Sequence, residues 1–111
     1  MEKVEFEDFT RIHIRTGTVL EAKLNPKANK PAYILKIDFG SFGIKTSSAQ
    51  ITENYTIEDL IGLQLSAVLN FPVKRVAGVK SEVLVIGAYS EVKGVVLLTP
   101  TDSVENGSLV G

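Results

Sequence analysis

Apolar and polar residues alternate along much of the chain, in the manner typical of half-buried β-strands. The alternation begins at Ile12 and predicts a first strand that runs on through Leu24. Gly17 interrupts the pattern, and we expect the strand to bend or bulge there. Prolines stand at both ends of the segment Pro26–Pro31, which predicts an exposed hairpin loop because proline cannot donate to a sheet interior. A second strand is predicted over Ala32–Phe39.

The middle of the chain combines a polar strand with a short helix. The strand pattern covers Ile44–Ile51 and ends in the polar run Thr46–Gln50. A fully buried strand does not normally carry so many hydroxyl groups, so one side of this strand is expected to face solvent, a groove or another subunit. Thr56 and Asp59 then have the spacing of a capping box and predict a helix over Ile57–Ile61.

The second half of the chain returns to short strands separated by turn signals. A basic loop is predicted at Pro72–Ser81, and strands are predicted over Leu65–Phe71, Val83–Ala88 and Val95–Thr99. Five or more short strands with one short mid-chain helix are typical of a small closed barrel. The sequence therefore predicts an all-β, five-stranded barrel of the OB-fold type.

Composition predicts an ordinary globular protein. At 111 residues, with 44% hydrophobic and 23% charged residues, the chain is expected to form one domain over residues 1–111. Cysteine is absent, which excludes disulfides and suits a reducing cytoplasm. The acidic N-terminus does not have the pattern of a signal peptide, and no apolar run approaches the roughly 18 residues of a membrane span.

The titratable residues do not form a recognisable catalytic constellation. His13 is the one histidine and stands in a predicted strand without a nucleophile or carboxylate beside it. Asp38 is better explained as a carboxylate that caps its own turn. The segment Gly40–Gly43 lacks the lysine of a phosphate-binding loop. We therefore expect a protein that is not an enzyme and that needs no metal or cofactor.

Basic residues are concentrated in two segments, although the net charge is only −1. Neither segment contains an acid: one carries Lys23, Lys27, Lys30 and Lys36, and the other carries Lys74, Arg75 and Lys80. If the two segments converge, they are able to contact several phosphates, with Tyr33 and Phe71 available for stacking. The alternatives are that the loops are charged for solubility and that both aromatic residues belong to the core.

Four segments recur in the order that characterises the tRNA-binding domain family: Arg15–Val19, Lys36–Gly40, Asp59–Gly62 and Asn70–Glu82. Within that family the chain resembles the CsaA-type secretion chaperones, on the segments Ser47–Thr52 and Asn70–Leu84. The resemblance implies an OB-fold with short terminal extensions that pair two subunits into a homodimer. It also implies a chaperone that passes unfolded preproteins to the translocation ATPase SecA.

The match to tRNA-binding relatives is incomplete. Those relatives tend to have Arg, Lys and Met where this chain has Ala77, Pro72 and Leu84. The resemblance retains six expected contact residues: Lys45, Asn70, Lys74, Arg75, Ser81 and Glu82. The residues that replace them make the surface more apolar, which favours binding of extended or unfolded peptide over binding of a phosphate backbone.

These observations predict an ATP-independent chaperone that binds unfolded preproteins in a groove. The expected lining is Phe71 and Leu84 with the polar strand of Ser47, Ser48 and Gln50, and the expected rim is Lys74, Arg75 and Lys80. The alternative is a module that recognises the shape of tRNA through the paired basic loops of a dimer. Phe6 and Phe9 have the spacing of one helical turn, which is expected to lie on the core as a lid or, alternatively, on a partner. In the second case, Phe6, Phe9, Leu109 and Val110 are the expected interface material.

Overall fold

The computed structural model describes residues 1–111 and is built around one long strand, β1 (Ile14–Leu24). Part of β1 pairs antiparallel with β2 (Tyr33–Asp38) and part with β4 (Gln64–Val68). β3 (Ile44–Ala49) adds to β2, and β7 (Leu84–Val85) adds to β4. The resulting sheet has five strands in the order β3-β2-β1-β4-β7.

Two hairpins and three short helical segments complete the structure. The hairpins are β5 (Lys74–Val76) with β6 (Val79–Ser81), and β8 (Gly87–Ser90) with β9 (Gly94–Leu97). The helical segments are α1 (Phe6–Thr10), a 3-10 turn (Gly40–Phe42) and α2 (Ile57–Leu60). α2 lies between β3 and β4 in the chain, and its capping box forms as predicted: the Thr56 side chain accepts from the Asp59 N–H, and the Asp59 carboxylate accepts from the Thr56 N–H.

Side chains join the two edge strands of the sheet where a main-chain ladder is missing. We call this junction, between β3 and residues 81–85, the seam. The Glu82 N–H donates to the Thr46 carbonyl at 2.8 Å, while the Glu82 Oε1 atom accepts from the Thr46 N–H at 3.0 Å. The Ser81 hydroxyl accepts from the Ser48 N–H at 3.0 Å. The sheet thus curls into a nearly closed five-stranded barrel with a helix after the third strand, which confirms the predicted OB-fold.

Inward-facing residues of the barrel strands form the core. Phe39, Leu35 and Ile37 are fully buried, together with Leu60 of α2 and Leu65 of β4. Leu35 and Ile37 alternate with the exposed Lys36, as expected for a strand with one buried face. The barrel thus buries one apolar face of each strand and leaves the opposite face for solvent or ligands.

The expected bulge in β1 lies at a different residue. The register against β2 shifts between Val19 and Glu21, three residues beyond Gly17. Gly17 instead allows close packing, because a Cβ atom there would lie 2.6 Å from the Phe39 ring. The missing side chain therefore makes room for the largest core residue rather than for a kink.

Two segments of the second half differ from the prediction. The basic loop Pro72–Ser81 contains the β5–β6 hairpin, whose turn residues Ala77 and Gly78 have φ of 46° and 83°. The apolar run Val83–Ala88 is two strands instead of one. The chain changes partner at Ile86, whose N–H donates to Ser66 of β4 while its carbonyl accepts from Leu98, just after β9.

Both ends of the chain lie against the barrel. α1 forms as predicted but covers no core, since none of its residues is buried. Phe6 and Phe9 contact each other with ring centroids 6.4 Å apart and are 76% and 40% exposed. Near the C-terminus, the Val110 N–H donates to the Ile14 carbonyl of β1, and Leu109 is 62% exposed. The short terminal extensions thus present apolar surface.

None of the helices has the length and apolar character needed to cross a membrane.

Candidate functional site

A groove of about 320 Å³ runs beside the seam, between the end of β3 and the β5–β6 hairpin. We call it the seam groove. Its lining consists of Ser48, Gln50, Phe71, Pro72, Lys74, Val76, Ser81, Glu82, Val83 and Leu84. β3 contributes one wall, while the segment after β4 and the hairpin contribute the other. Seven residues proposed from the sequence meet here: Ser48, Gln50, Phe71, Lys74, Ser81, Glu82 and Leu84.

Phe71 and Leu84 present apolar surface inside the seam groove. Phe71 is 47% exposed and Leu84 is 51% exposed, so neither is a core residue. Val83 beside them is buried and packs in the core cluster. Two large apolar side chains held half-exposed in a concave surface are typical of a site that buries apolar groups of a ligand.

Two polar residues of the seam groove are already engaged within the barrel. The Ser81 hydroxyl and one Glu82 oxygen accept main-chain N–H groups of β3, as described for the seam. Their first role is therefore to hold β3 against the hairpin. The groove keeps its shape because the residues that form its floor also close the barrel.

Several residues expected in the site lie elsewhere. Ser47 is 1% exposed and donates its hydroxyl to the Val83 carbonyl, so it faces the core and not the groove. Asn70 attaches the N-terminal segment, because its side chain donates to the Arg11 carbonyl at 2.7 Å and accepts from the His13 N–H at 2.8 Å. Lys45 pairs with Ile37 across the sheet and is half-buried, away from the groove lining. Ser47 and Asn70 therefore support the fold around the site, and Lys45 lies outside the groove.

The remaining basic residues lie at the hairpin. Arg75 and Lys80 face each other across β5 and β6 and are both exposed, while Lys74 lines the seam groove. The Arg75 guanidinium donates to the Gly78 carbonyl at 3.5 Å, across the hairpin turn. Three cations are thus grouped on one projecting element.

The two basic segments of the sequence do converge. The Asn25 side chain donates to the Ala77 carbonyl at 3.4 Å, which joins the β1–β2 loop to the tip of the β5–β6 hairpin. A second cleft at this contact is lined by Lys27 and Lys30 and shares Gln50 and Val76 with the seam groove. Lys36 lies apart, since its ammonium contacts the Glu21 carboxylate at 3.6 Å. The basic surface is therefore continuous with one end of the seam groove.

Only one of the two aromatic residues considered for stacking is accessible. Tyr33 is 6% exposed, belongs to the core cluster and donates its hydroxyl to the Tyr55 carbonyl at 2.7 Å. Phe71 is the accessible one.

Sequence reasoning did not select Pro72, Val76 and Val83 as groove residues. The apolar positions Val73, Val76 and Val79 within the predicted loop were the signal that this segment has ordered structure.

Comparison with known proteins places the chain in a family. The family model of the tRNA binding domain matches residues 14–109. The chain belongs to the tRNA-binding domain family. Within the family it is of the CsaA type, since its structure superposes on that of chaperone CsaA from Bacillus anthracis with a TM-score of 0.94 and 52% identity, covering 99% of this chain and 100% of that one. CsaA from Picrophilus torridus gives a TM-score of 0.93 at 46% identity, covering 98% and 100%.

Curated relatives in the tRNA-binding domain family include much longer enzymes. Methionine–tRNA ligase of Flavobacterium johnsoniae is 34% identical over 107 residues, which is 96% of this chain but 15% of the ligase. The ligase of Pyrococcus horikoshii is 34% identical over 110 residues, again 15% of its length. The chain thus corresponds to a small part of those proteins.

Proposed function

We propose that this chain is a chaperone of protein export that binds unfolded preproteins in the seam groove without ATP and without a catalytic step. The observation that carries the proposal is the pair of half-exposed apolar side chains, Phe71 and Leu84, inside a concave lining. The likeness to two CsaA chaperones over nearly the whole chain supports it.

Binding alone is sufficient for the proposed activity. Burying the exposed half of Phe71 against a client stabilises the complex by about 1 kcal/mol, and Leu84 adds a similar amount. A few such contacts give weak, reversible binding, which keeps a client unfolded by mass action and releases it to a partner with higher affinity. We propose that SecA is this partner and that the exchange takes place in the cytoplasm.

We further propose that the chain acts as one domain and as a homodimer. α1 and the C-terminal segment present Phe6, Phe9 and Leu109 to solvent, and these residues are 76%, 40% and 62% exposed. Apolar side chains grouped at both ends of a chain are suitable material for a self-complementary interface. Sedimentation of the purified protein measures the mass of the assembly.

Replacing Phe71 tests the chaperone proposal. We expect Phe71→Asp to weaken binding of an unfolded preprotein by about tenfold or more, because it places a carboxylate where an apolar group should be buried. The free energy of unfolding should change little, since Phe71 lies outside the core. Leu24→Asp is the matched control: Leu24 is 57% exposed and lies outside the groove. Equal binding by both variants and the wild type would refute the assignment of the groove.

A second candidate function is recognition of tRNA by the basic surface of the β1–β2 loop and the β5–β6 hairpin. The contact between Asn25 and Ala77 favours it, because this contact brings Lys27 and Lys30 beside the hairpin that carries Lys74, Arg75 and Lys80. The relationship to parts of methionine–tRNA ligases supports the same candidate. The loss of an arginine at Ala77 and of a lysine at Pro72 counts against high affinity.

The salt dependence of tRNA binding tests this second function. Each phosphate contact contributes about −0.9 to the slope of log affinity against log salt on a duplex, so Lys74→Ala with Arg75→Ala should flatten the slope by roughly two units. Lys36→Ala is the control, because the Lys36 ammonium pairs with Glu21 away from the hairpin. An unchanged slope in the double variant would remove the hairpin from the RNA surface.

A further inference from the structure

A basic cleft opens from one end of the seam groove, where the β1–β2 loop meets the β5–β6 hairpin. We call it the loop cleft. It measures about 440 Å³ and is lined by residues 27–30 and 76–77 together with Ala32 and Gln50. Gln50 and Val76 also line the seam groove, so the two depressions meet at these residues. Lys27 and Lys30 are the charged residues of the cleft, whose lining contains no acid.

The cations around the loop cleft have no carboxylate partner, because both salt bridges of the chain lie elsewhere. The Lys27 side chain extends over the hairpin turn: a Cβ atom at Gly78 would lie 3.6 Å from its Cδ atom and 4.0 Å from its Nζ atom. The Arg75 guanidinium reaches the same turn and donates to the Gly78 carbonyl at 3.5 Å. Two like charges held at one turn repel each other, and a bound anion would relieve this repulsion.

A chain of phosphates that lies in the loop cleft would continue into the seam groove. Side chains alternate along β5, so Lys74 and Val76 lie on the face that lines the groove, and Arg75 lies on the opposite face. Lys74 is therefore the third cation on this path, after Lys27 and Lys30, and it lies inside the groove. A phosphate that contacts Lys74 would take up part of the groove in which a client is expected to contact Phe71.

We propose that the loop cleft holds the backbone of RNA and that RNA bound there excludes a client from the seam groove. This inference rests on the proposed chaperone function and concerns its regulation. Lysines on contiguous surfaces suit consecutive phosphates, and such contacts do not depend on base sequence. The seam groove of about 320 Å³ has the size of a pocket for one small ligand, so it cannot hold an apolar client side chain and a nucleotide together. RNA is then a competitor of the client.

Displacement of a client by short RNA tests this proposal on the full-length protein. A labelled unfolded preprotein with a net charge near zero is bound at low salt, and single-stranded RNA of about twelve nucleotides, within the site size of one OB-fold, is added. We expect the apparent dissociation constant of the preprotein, measured by fluorescence anisotropy, to rise linearly with RNA concentration and to reach no plateau, because the two ligands cannot bind together.

Two controls accompany this titration. A morpholino oligonucleotide of the same sequence lacks the phosphate charges and should not displace the preprotein. RNA added to the free preprotein should leave its anisotropy unchanged, which shows that RNA acts through the chaperone.

Variants of the loop cleft locate the site of competition. Lys27→Gln with Lys30→Gln should raise the RNA concentration needed for displacement by about tenfold or more, because two phosphate contacts are lost. The affinity for the preprotein without RNA should not change, since neither lysine lines the seam groove and both are exposed. Lys36→Gln with Lys93→Gln is the control of equal charge, because these two lysines are exposed and line neither depression. It should be displaced as the wild type is.

Each alternative outcome has a distinct meaning. If the preprotein is not bound, or if Phe71→Asp binds it as the wild type does, the proposed function itself fails before RNA is added. If the preprotein is bound but its apparent dissociation constant does not rise, or reaches a plateau, the exclusion is wrong. If the variant of Lys27 and Lys30 is displaced as readily as its control, the loop cleft is not the RNA site, and the proposal is overturned. Equal displacement by the morpholino overturns it as well.

Discussion

Two side chains at the start of α2 show how one residue pair determines where an element begins. The Asp59 carboxylate accepts from the Thr56 N–H at 3.0 Å, and the Thr56 hydroxyl accepts from the Asp59 N–H at 3.2 Å. This reciprocal pair satisfies two donors that a helix otherwise leaves free. The spacing was visible in the sequence because a capping box depends only on neighbours along the chain.

The Asp59 carboxylate should titrate at low pH. The hydrogen bond from the Thr56 N–H lowers the pKa of Asp59 below 3.8, with a smaller contribution from the Thr56 hydroxyl. Since the folded pKa is lower than the unfolded one, its contribution to stability is complete above the unfolded pKa and is lost as the pH falls through the folded pKa. Carbon-detected NMR titration of Asp59 measures this directly. An Asp59 pKa at or above the usual value would show that the capping box does not persist in solution.

The fate of single aromatic residues was harder to predict. Tyr33 and Phe71 were both considered for stacking from the sequence, yet Tyr33 is 6% exposed and Phe71 is 47% exposed. Tyr33 is buried because it pairs with Ala49 across β2 and β3, which directs it inward, and because its hydroxyl donates a hydrogen bond to the Tyr55 carbonyl. Both reasons depend on residues that are distant in the chain. Ser47 faces inward for the same reason, since it pairs with Leu35.

At the scale of elements, the seam relies on side chains in place of a ladder, and Glu82 is one of them. Glu82→Ala removes the acceptor of the Thr46 N–H, and we expect it to lower the free energy of unfolding by about 1–2 kcal/mol. Glu82→Gln retains an oxygen acceptor and should recover most of the loss. Urea denaturation of the three proteins measures both effects.

The contrast between these two variants is the decisive comparison. Equal stability of Glu82→Ala and the wild type would mean that the seam is held by the Glu82 N–H, Ser81 and Ser47 alone. A loss of the same size in Glu82→Gln would mean that the negative charge matters rather than the acceptor.

Element boundaries were predictable where a strand keeps one partner. β2 and β3 were predicted within a few residues, because each keeps its neighbours along its length. The apolar run Val83–Ala88 was not divided correctly, since its break at Ile86 reflects an exchange of partner from β4 to the β8–β9 hairpin. The β5–β6 hairpin was predicted as a loop because its turn has Ala77, and not Asn or Gly, at a position with φ of 46°.

At the scale of the molecule, the net charge of −1 conceals a local basic surface, which is formed by the β1–β2 loop and the β5–β6 hairpin. The family and the OB-fold were predictable because four sequence segments recur in the order typical of the family and together span nearly the whole chain. The groove was predictable in part: seven of the proposed residues meet in it, while Ser47 and Asn70 support the fold instead and Lys45 lies outside the groove. The convergence of the two basic loops could not be predicted, because it depends on a contact between Asn25 and Ala77, which are distant in the chain.

The central claim is that the molecule holds clients by apolar contact rather than nucleic acid by charge. The most direct test is titration with a labelled unfolded preprotein and with labelled tRNA, at about 50 mM and about 150 mM salt, by fluorescence anisotropy. Three phosphate contacts would weaken tRNA binding by about twentyfold across this range. We expect preprotein affinity to change by less than about threefold, because apolar contacts are not screened by salt. Preprotein binding that disappears at the higher salt while tRNA binding persists would contradict the account.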